Sequence, residues 1–122
     1  MCLEIQKDAK ILIAAEDIVC YKIVKNPNEY HKNYRSYFQL TDIEIGKTYI
    51  SCLNRVKNSI EEGLHSMGHY YGVSLLRYYL ADINSSIVKC IIPKGSSYYV
   101  GEFYSNISYA SDKLIYVEFC KL

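Results

Sequence analysis

At 122 residues the chain has the length of a single domain, residues 1–122, with no room for an appended module. Half of the residues are apolar and 22% are charged, a composition that excludes intrinsic disorder. Fourteen Lys and Arg against thirteen Asp and Glu leave a net charge of +1, so no bulk field draws the protein to nucleic acid or anionic lipid.

The start of the chain carries Glu4 and Asp8 among its apolar residues, and the apolar run from Ile11 is closed at Glu16 and Asp17, which fits neither a signal peptide nor a membrane span. The first strand is expected over residues 18–25, rich in β-branched side chains and stopped by Asn26-Pro27-Asn28. Residues 29–40 are polar and aromatic with no clean period and read as a structured loop or short helix. Alternation over residues 48–53 indicates a strand with one covered face, and residues 54–62 read as a charged connector ended by Gly63. The helical signal spans residues 71–82, with Val73, Leu76, Tyr79 and Leu80 assigned to one face and Asn84-Ser85-Ser86 as the stop. The apolar run 87–92 suits a central strand covered on both faces. A four-residue turn from Ile92 would place Pro93 second and Gly95 fourth. Residues 97–103 and 113–119 complete the strands. The class is therefore α+β, a mostly antiparallel sheet with one main helix at about residues 70–82.

Cysteines stand at positions 2, 20, 52, 90 and 120, odd in number and without a C-x-x-C pair, which fits a reducing cytoplasm. Cys20, Cys52, Cys90 and Cys120 lie in or beside strand-like runs and are expected to pack as small hydrophobes. His65 and His69 are four apart, yet Gly68 between them argues against a helix and no third ligand is evident, so no metal site is expected. There is also no glycine-rich phosphate loop, dinucleotide fingerprint or nucleophile elbow, and no cofactor is inferred.

Fourteen tyrosines beside three phenylalanines and no tryptophan are the conspicuous bias. Adjacent tyrosines cannot share a face, so one member of each doublet, Tyr70-Tyr71, Tyr78-Tyr79 and Tyr98-Tyr99, should be less buried. Amphipathic packing accounts for most of these rings. The sharper expectation is that Tyr34, Tyr37 and Phe38 stack on a flat ligand such as a nucleobase while Arg35 grips its phosphate. The same residues suit a dimer or host-protein interface equally well. Lys94 is either a solvated turn tip or an anion contact. His65 is either a backbone-bonded core residue or the edge that reads a ribose. Ser108 and Ser111 are expected to shape the turn before the last strand.

Gly63-Leu64-His65-Ser66 before a helix, Ile91-Ile92-Pro93-Lys94-Gly95 after a strand, and Ser108-Tyr109-Ala110-Ser111-Asp112 before the closing strand form a combined pattern. It resembles small proteins of bacteriophages and mobile elements of gut bacteria over nearly the whole chain. A more distant resemblance is to the ADP-ribosyltransferase fold, whose compact members carry an aromatic or His on an early strand, Gly-x-His or Gly-x-Tyr before a helix, and a late Ser-Tyr-x-Ser. That resemblance implies roles for Tyr21, then for Gly63, His65 and Ser66, then for Tyr109 and Ser111. The chain departs from it where Lys22, Ile23 and Val24 follow Tyr21 in place of a small residue, and no acid stands in a matching motif. The resemblance thus implies a scaffold, with non-catalytic capture of a nucleotide-type signal in a bacterial host cytoplasm as the leading expectation and NAD-dependent transfer as its alternative. The binding residues so expected are Tyr21, Tyr34, Arg35, Tyr37, Phe38, His65, Ser66, Lys94, Tyr109 and Ser111.

Overall fold

A computed structural model describes residues 3–38 and 40–121. In chain order the described residues form β1 (Leu3–Glu4), β2 (Leu12–Ile13), β3 (Ile18–Lys25), β4 (Arg35–Ser36), β5 (Thr48–Ile50), β6 (Asn54–Val56), β7 (Ser59–Glu62) and β8 (Leu64–Met67). The helix α1 (Tyr70–Leu80) follows, then β9 (Ser85–Ile92), β10 (Ser97–Phe103), β11 (Asn106–Ser111) and β12 (Lys113–Phe119). The architecture is α+β with antiparallel pairing between neighbouring strands, in the order β5-β12-β9-β3-β8-β11-β10-β1-β7-β6.

β3 carries the β-branched pairs Ile18-Val19 and Ile23-Val24 and pairs with β9 at every residue, from Ile18↔Ile92 to Lys25↔Ser85. β9 lies between β3 and β12, and both of its faces are largely covered, as its unbroken apolar run requires. The turn after it differs from expectation by one residue. The Ser96 N–H donates to the Pro93 carbonyl at 3.0 Å, so Gly95, with φ +88, occupies the third turn position, where only glycine is at ease with a positive φ.

Residues 54–62 are a hairpin, β6 to β7, and not a connector; its charged side chains sit on an exposed edge, which conceals the pairing from a hydrophobic pattern. The strand expected over 48–53 ends at Ile50. Among the described residues of 29–40 there is the short β4 and no helix. Residues 106–111 are a strand, so Ser108 and Ser111 belong to a ladder, with Ser108 opposite Met67 and Ser111 opposite Leu64.

α1 buries Gly72, Val73 and Leu76 against Ile23, Met67 and Ile87. Tyr79 falls outside that face and is 67% exposed, because six positions at about 100° each rotate it roughly 120° from Val73. The helix closes on Ala81 in the left-handed conformation, whose N–H donates to the Arg77 and Tyr78 carbonyls. Cys20 and Cys90 are buried as expected of small hydrophobes, whereas Cys52 is exposed on the link between β5 and β6 and Cys120 is half-buried. Cys2 lies outside the described residues.

One residue, Asp112, carries the chain from β11 into β12. Its N–H donates to the Ser97 carbonyl and its carboxylate accepts the Ser97 N–H, both at 3.0 Å, while its carbonyl accepts the Ser51 N–H at 2.9 Å. The two halves of the sheet are thus fastened at one end, and β1 is pressed onto β10 at the other. A methyl at Gly101 would overlap the Glu4 carbonyl oxygen and meet Ile5 Cγ2 at 2.9 Å. Gly101→Ala should therefore cost about 2 kcal/mol or more of stability, read as a lower urea midpoint at unchanged slope.

Candidate functional site

β3 and β8 meet at one register pair, Tyr21↔Met67, although β3 runs eight residues with β9 and β8 runs four with β11. The two strands part on leaving that pair, and a slot lies between them. Tyr21, Lys22 and Ile23 of β3, His65, Ser66 and Met67 of β8, and Ser108 and Tyr109 of β11 line it, with Val73 and Leu76 of α1, Phe103 and Phe38. Its volume is about 30 Å³. Phe38, 42% exposed and edge-on to Phe103 at 6.3 Å between ring centres, forms part of its wall.

The polar content of this slot is unusual. His65 and Ser66 are 7% and 4% exposed, and His65 Nδ1 and Ser66 Oγ are buried without a hydrogen-bond partner. Lys22 lies on the same side of β3 as the buried Cys20 and Val24, and no carboxylate pairs with it: among the described residues the ion pair is Lys89 with Glu118, at 4.0 Å. Burial pulls the Lys22 ammonium below its ordinary pKa. Burial also lowers His65 to about 4, and the Lys22 charge adds to the effect, so the imidazole is neutral at pH 7. Burial pushes the Cys20 thiol up to about 11 against the opposing Ser66 hydroxyl, and it pushes Cys90 well up too, so neither presents a thiolate at neutral pH. Tyr109 is raised by burial and stays a phenol.

Gly68 makes room for one wall of the site. A side chain there would meet the Tyr109 hydroxyl at 3.3 Å, and the Gly68 N–H donates to the Ile107 carbonyl, holding the β8-to-α1 corner against β11. Tyr21 packs edge-on to Tyr70 at 5.9 Å from the first turn of the helix.

Of the residues expected from sequence, Tyr21, Phe38, His65, Ser66 and Tyr109 converge on the slot. The others do not. Tyr34 stacks on Phe119 at 4.4 Å and packs against the core around Cys20 and Leu114. Tyr37 lies under the Lys25 ammonium at 5.1 Å and beside Phe38. Arg35 opens into a different pocket with Lys25 and Asp82. The four-residue aromatic and guanidinium cluster is thereby divided, since neighbours on a strand and its turn point to different sides. Lys94 is exposed at its turn and uses its N–H to cap Asp17, at 2.8 Å. Ser111 is buried and donates to the Lys113 carbonyl at 2.9 Å.

The tyrosine surplus is distributed over the molecule. Tyr49 meets Tyr116, Tyr98 meets Tyr109, and Tyr71, Tyr78 and Tyr79 are exposed on the outer side of α1. Lys22 and Phe103 are the site residues that the sequence reading passed over. For Lys22 a signal existed: it interrupts the inward series Ile18, Cys20, Val24 of a strand. Phe103 carried none, because its strand ends beside the slot only through pairing with β11.

Comparison with protein-family models, curated proteins and solved structures returns no match to this chain.

The low His65 value has a measurable consequence. Above pH 6.5 the residue is neutral in both folded and unfolded chains and contributes no pH dependence. Between 6.5 and about 4 the unfolded chain takes up a proton that the folded one refuses, so acidification should remove stability, about 3 kcal/mol in full. Urea unfolding across that range should show His65→Gln losing less stability than the wild type by that amount.

Proposed function

We propose that this protein is a non-catalytic binding protein that captures a small, flat, anionic ligand of the nucleotide type at the fork between β3 and β8. The observation carrying the reading is the buried, unpartnered His65 Nδ1, with the buried Ser66 hydroxyl set against the Cys20 thiol and the unpaired Lys22 beside it, in a largely apolar slot. Buried polar groups in native proteins almost always have partners, and an orphan beside a cavity marks the place of an absent one. Few convergent polar groups among aromatic walls are also the usual make-up of a small-molecule site. Ser66 and neutral His65 supply hydrogen bonds, Lys22 supplies charge, and Tyr21, Tyr109 and Phe103 supply ring faces and edges. A base enters by turning the half-exposed Phe38 ring aside, a side-chain change of the kind that binding commonly brings. A phage or mobile-element protein acting in a host cytoplasm would use such capture to withhold a nucleotide signal from a defence system.

The second reading is NAD-dependent ADP-ribosyl transfer on a scaffold like that of the ADP-ribosyltransferases. Its support is that Tyr21, His65 and Tyr109, drawn from three separate segments, meet at one slot. Against it, no carboxylate is among the residues lining that slot, so nothing there would stabilise a positive charge developing on the ribose.

A panel of nucleoside phosphates, nucleosides and NAD read by thermal unfolding separates these readings. A ligand at a hundred times its Kd should raise the melting temperature by roughly 10 °C. Lys22→Met should weaken a phosphorylated ligand about tenfold or more, and heat should release that ligand unchanged. Nicotinamide release from NAD, lost in His65→Ala, would establish transfer in place of capture. A melting temperature unmoved by every member of the panel would overturn both.

A further inference from the structure

The chain's three arginines are treated differently by the fold. Arg55 donates to the carbonyls of Ala9, Lys7 and Lys57. Arg77 donates through Nε to Ser85 Oγ at 3.0 Å. Arg35 has a buried Nε that donates to nothing. The surroundings say what kind of acceptor fits it.

Arg35 on β4 is the register partner of Lys25 on β3. Residues directly opposite each other in an antiparallel ladder project to the same side, and like charges so placed repel. The two cations share a polar pocket of about 310 Å³ with Asn26, Asn28, Asp82 and Asn84. Asp82 makes no ion pair with either, so its single charge offsets only one of the two cations and leaves the pocket net positive. One of its oxygens accepts the Asn84 N–H at 2.9 Å, and the Tyr37 hydroxyl is turned to the same carboxylate. The Asn26 and Asn28 side-chain oxygens are likewise occupied, by the Ser86 hydroxyl and by the N–H groups of Tyr30 and His31. The pocket is therefore bordered by two cations and one carboxylate; one cation, Lys25, also lies over the Tyr37 ring, and the other, Arg35, has the buried Nε with no acceptor.

We propose that this pocket is an anion site for a phosphate group, gripped by the Arg35 guanidinium and the Lys25 ammonium. One doubly charged oxyanion relieves both defects at once: it accepts the orphan N–H and screens the two cations from each other. The planar guanidinium suits a tetrahedral oxyanion because two parallel donors meet two oxygens. This assignment does not rest on the fork. Lys25 is four residues along β3 from Tyr21, roughly 13 Å at strand rise, and Arg35 does not line the slot.

The test follows the arginine Nε–H resonances of ¹⁵N-labelled protein during titration with inorganic phosphate, against chloride at matched ionic strength. The Arg35 signal should move and saturate while those of Arg55 and Arg77, already bonded, stay in place. Lys25→Met should weaken the titration about tenfold. Arg35→Lys, which keeps the charge and the strand, should do the same, and Asp82→Asn should tighten it. A nucleoside 5′-monophosphate and its parent nucleoside identify the source: a shift with the monophosphate alone assigns the pocket to an organic phosphate, and a shift with inorganic phosphate only assigns it to the free ion. His65→Ala and Lys22→Met should leave the Arg35 titration unchanged, so failure of nucleotide capture at the fork and failure of this site are separable. An Arg35 signal that stays still at roughly 20 mM of either phosphate, where even a site of about 1 mM is filled, would overturn the proposal, as would equal drift of all three arginines.

Discussion

The whole site depends on how little β3 and β8 share. β3 commits its full length to β9, and β8 commits its length to β11, which leaves one register pair, Tyr21↔Met67, to join the two halves of the sheet. Sheets twist, and strands held by a single pair are free to splay where strands held by a ladder are not. The splay would close over if the halves could slide. They are kept in place by Asp112, which links β11 to β12 and bonds both Ser97 and Ser51, and by α1, which springs from the end of β8 and packs Val73 and Leu76 beside Ile23. The slot is thus a consequence of topology, and the side chains only decide what it can hold.

What they decide is costly to the fold. A lysine without a counter-ion, an imidazole whose pKa burial lowers to about 4, and a buried hydroxyl set against the Cys20 thiol all sit beside the core around Cys20 and Cys90. Each would be more comfortable as a valine or leucine of similar size, and packing alone gives no reason for any of them. Local rules broken together in one place, with the rest of the core obeying them, are the usual mark of a site under selection for something other than stability. The thiols beside them offer no such mark, because burial keeps both protonated.

The long elements were legible in the sequence because their patterns are strong: β3 and β9 as β-branched runs between turn residues, and α1 by its buried spacing at Val73 and Leu76. What stayed hidden had weak or misleading patterns. The hairpin at residues 54–62 is an exposed edge whose charges look like a linker, and β8 and β11 are short and carry Ser66, Ser108 and Ser111, with Gly63 and Gly68 flanking β8, which read as turn chemistry. Yet those are the strands that build the site. His65, Ser66 and Tyr109 entered the expectation through a motif pattern and not through periodicity, and it was pairing between β8 and β11 that placed them together. The aromatic cluster at residues 34–38 failed for the converse reason. Proximity in sequence suggested one surface, but the turn into and out of β4 sends Tyr34 to the core, Arg35 to the β3 edge and Phe38 to the slot.

A formal charge of +1 implies a molecule in balance, and the balance is global only. Within 8 residues β3 carries two cations that make no ion pair with a carboxylate among the described residues, and their positions differ in parity. Lys22 shares the side of Cys20 and Val24, whereas Lys25 shares that of Tyr21 and Ile23 and continues outward to Tyr37 and Arg35. Alternation along one strand therefore sends one unpaired charge into the fork and the other to the sheet edge. Because the strand is clamped by a full ladder to β9, neither can move far toward the acids elsewhere on the surface. A rigid strand that holds two such charges apart is a poor device for stability and a good one for meeting anions from outside, which is the physical basis shared by the two proposals.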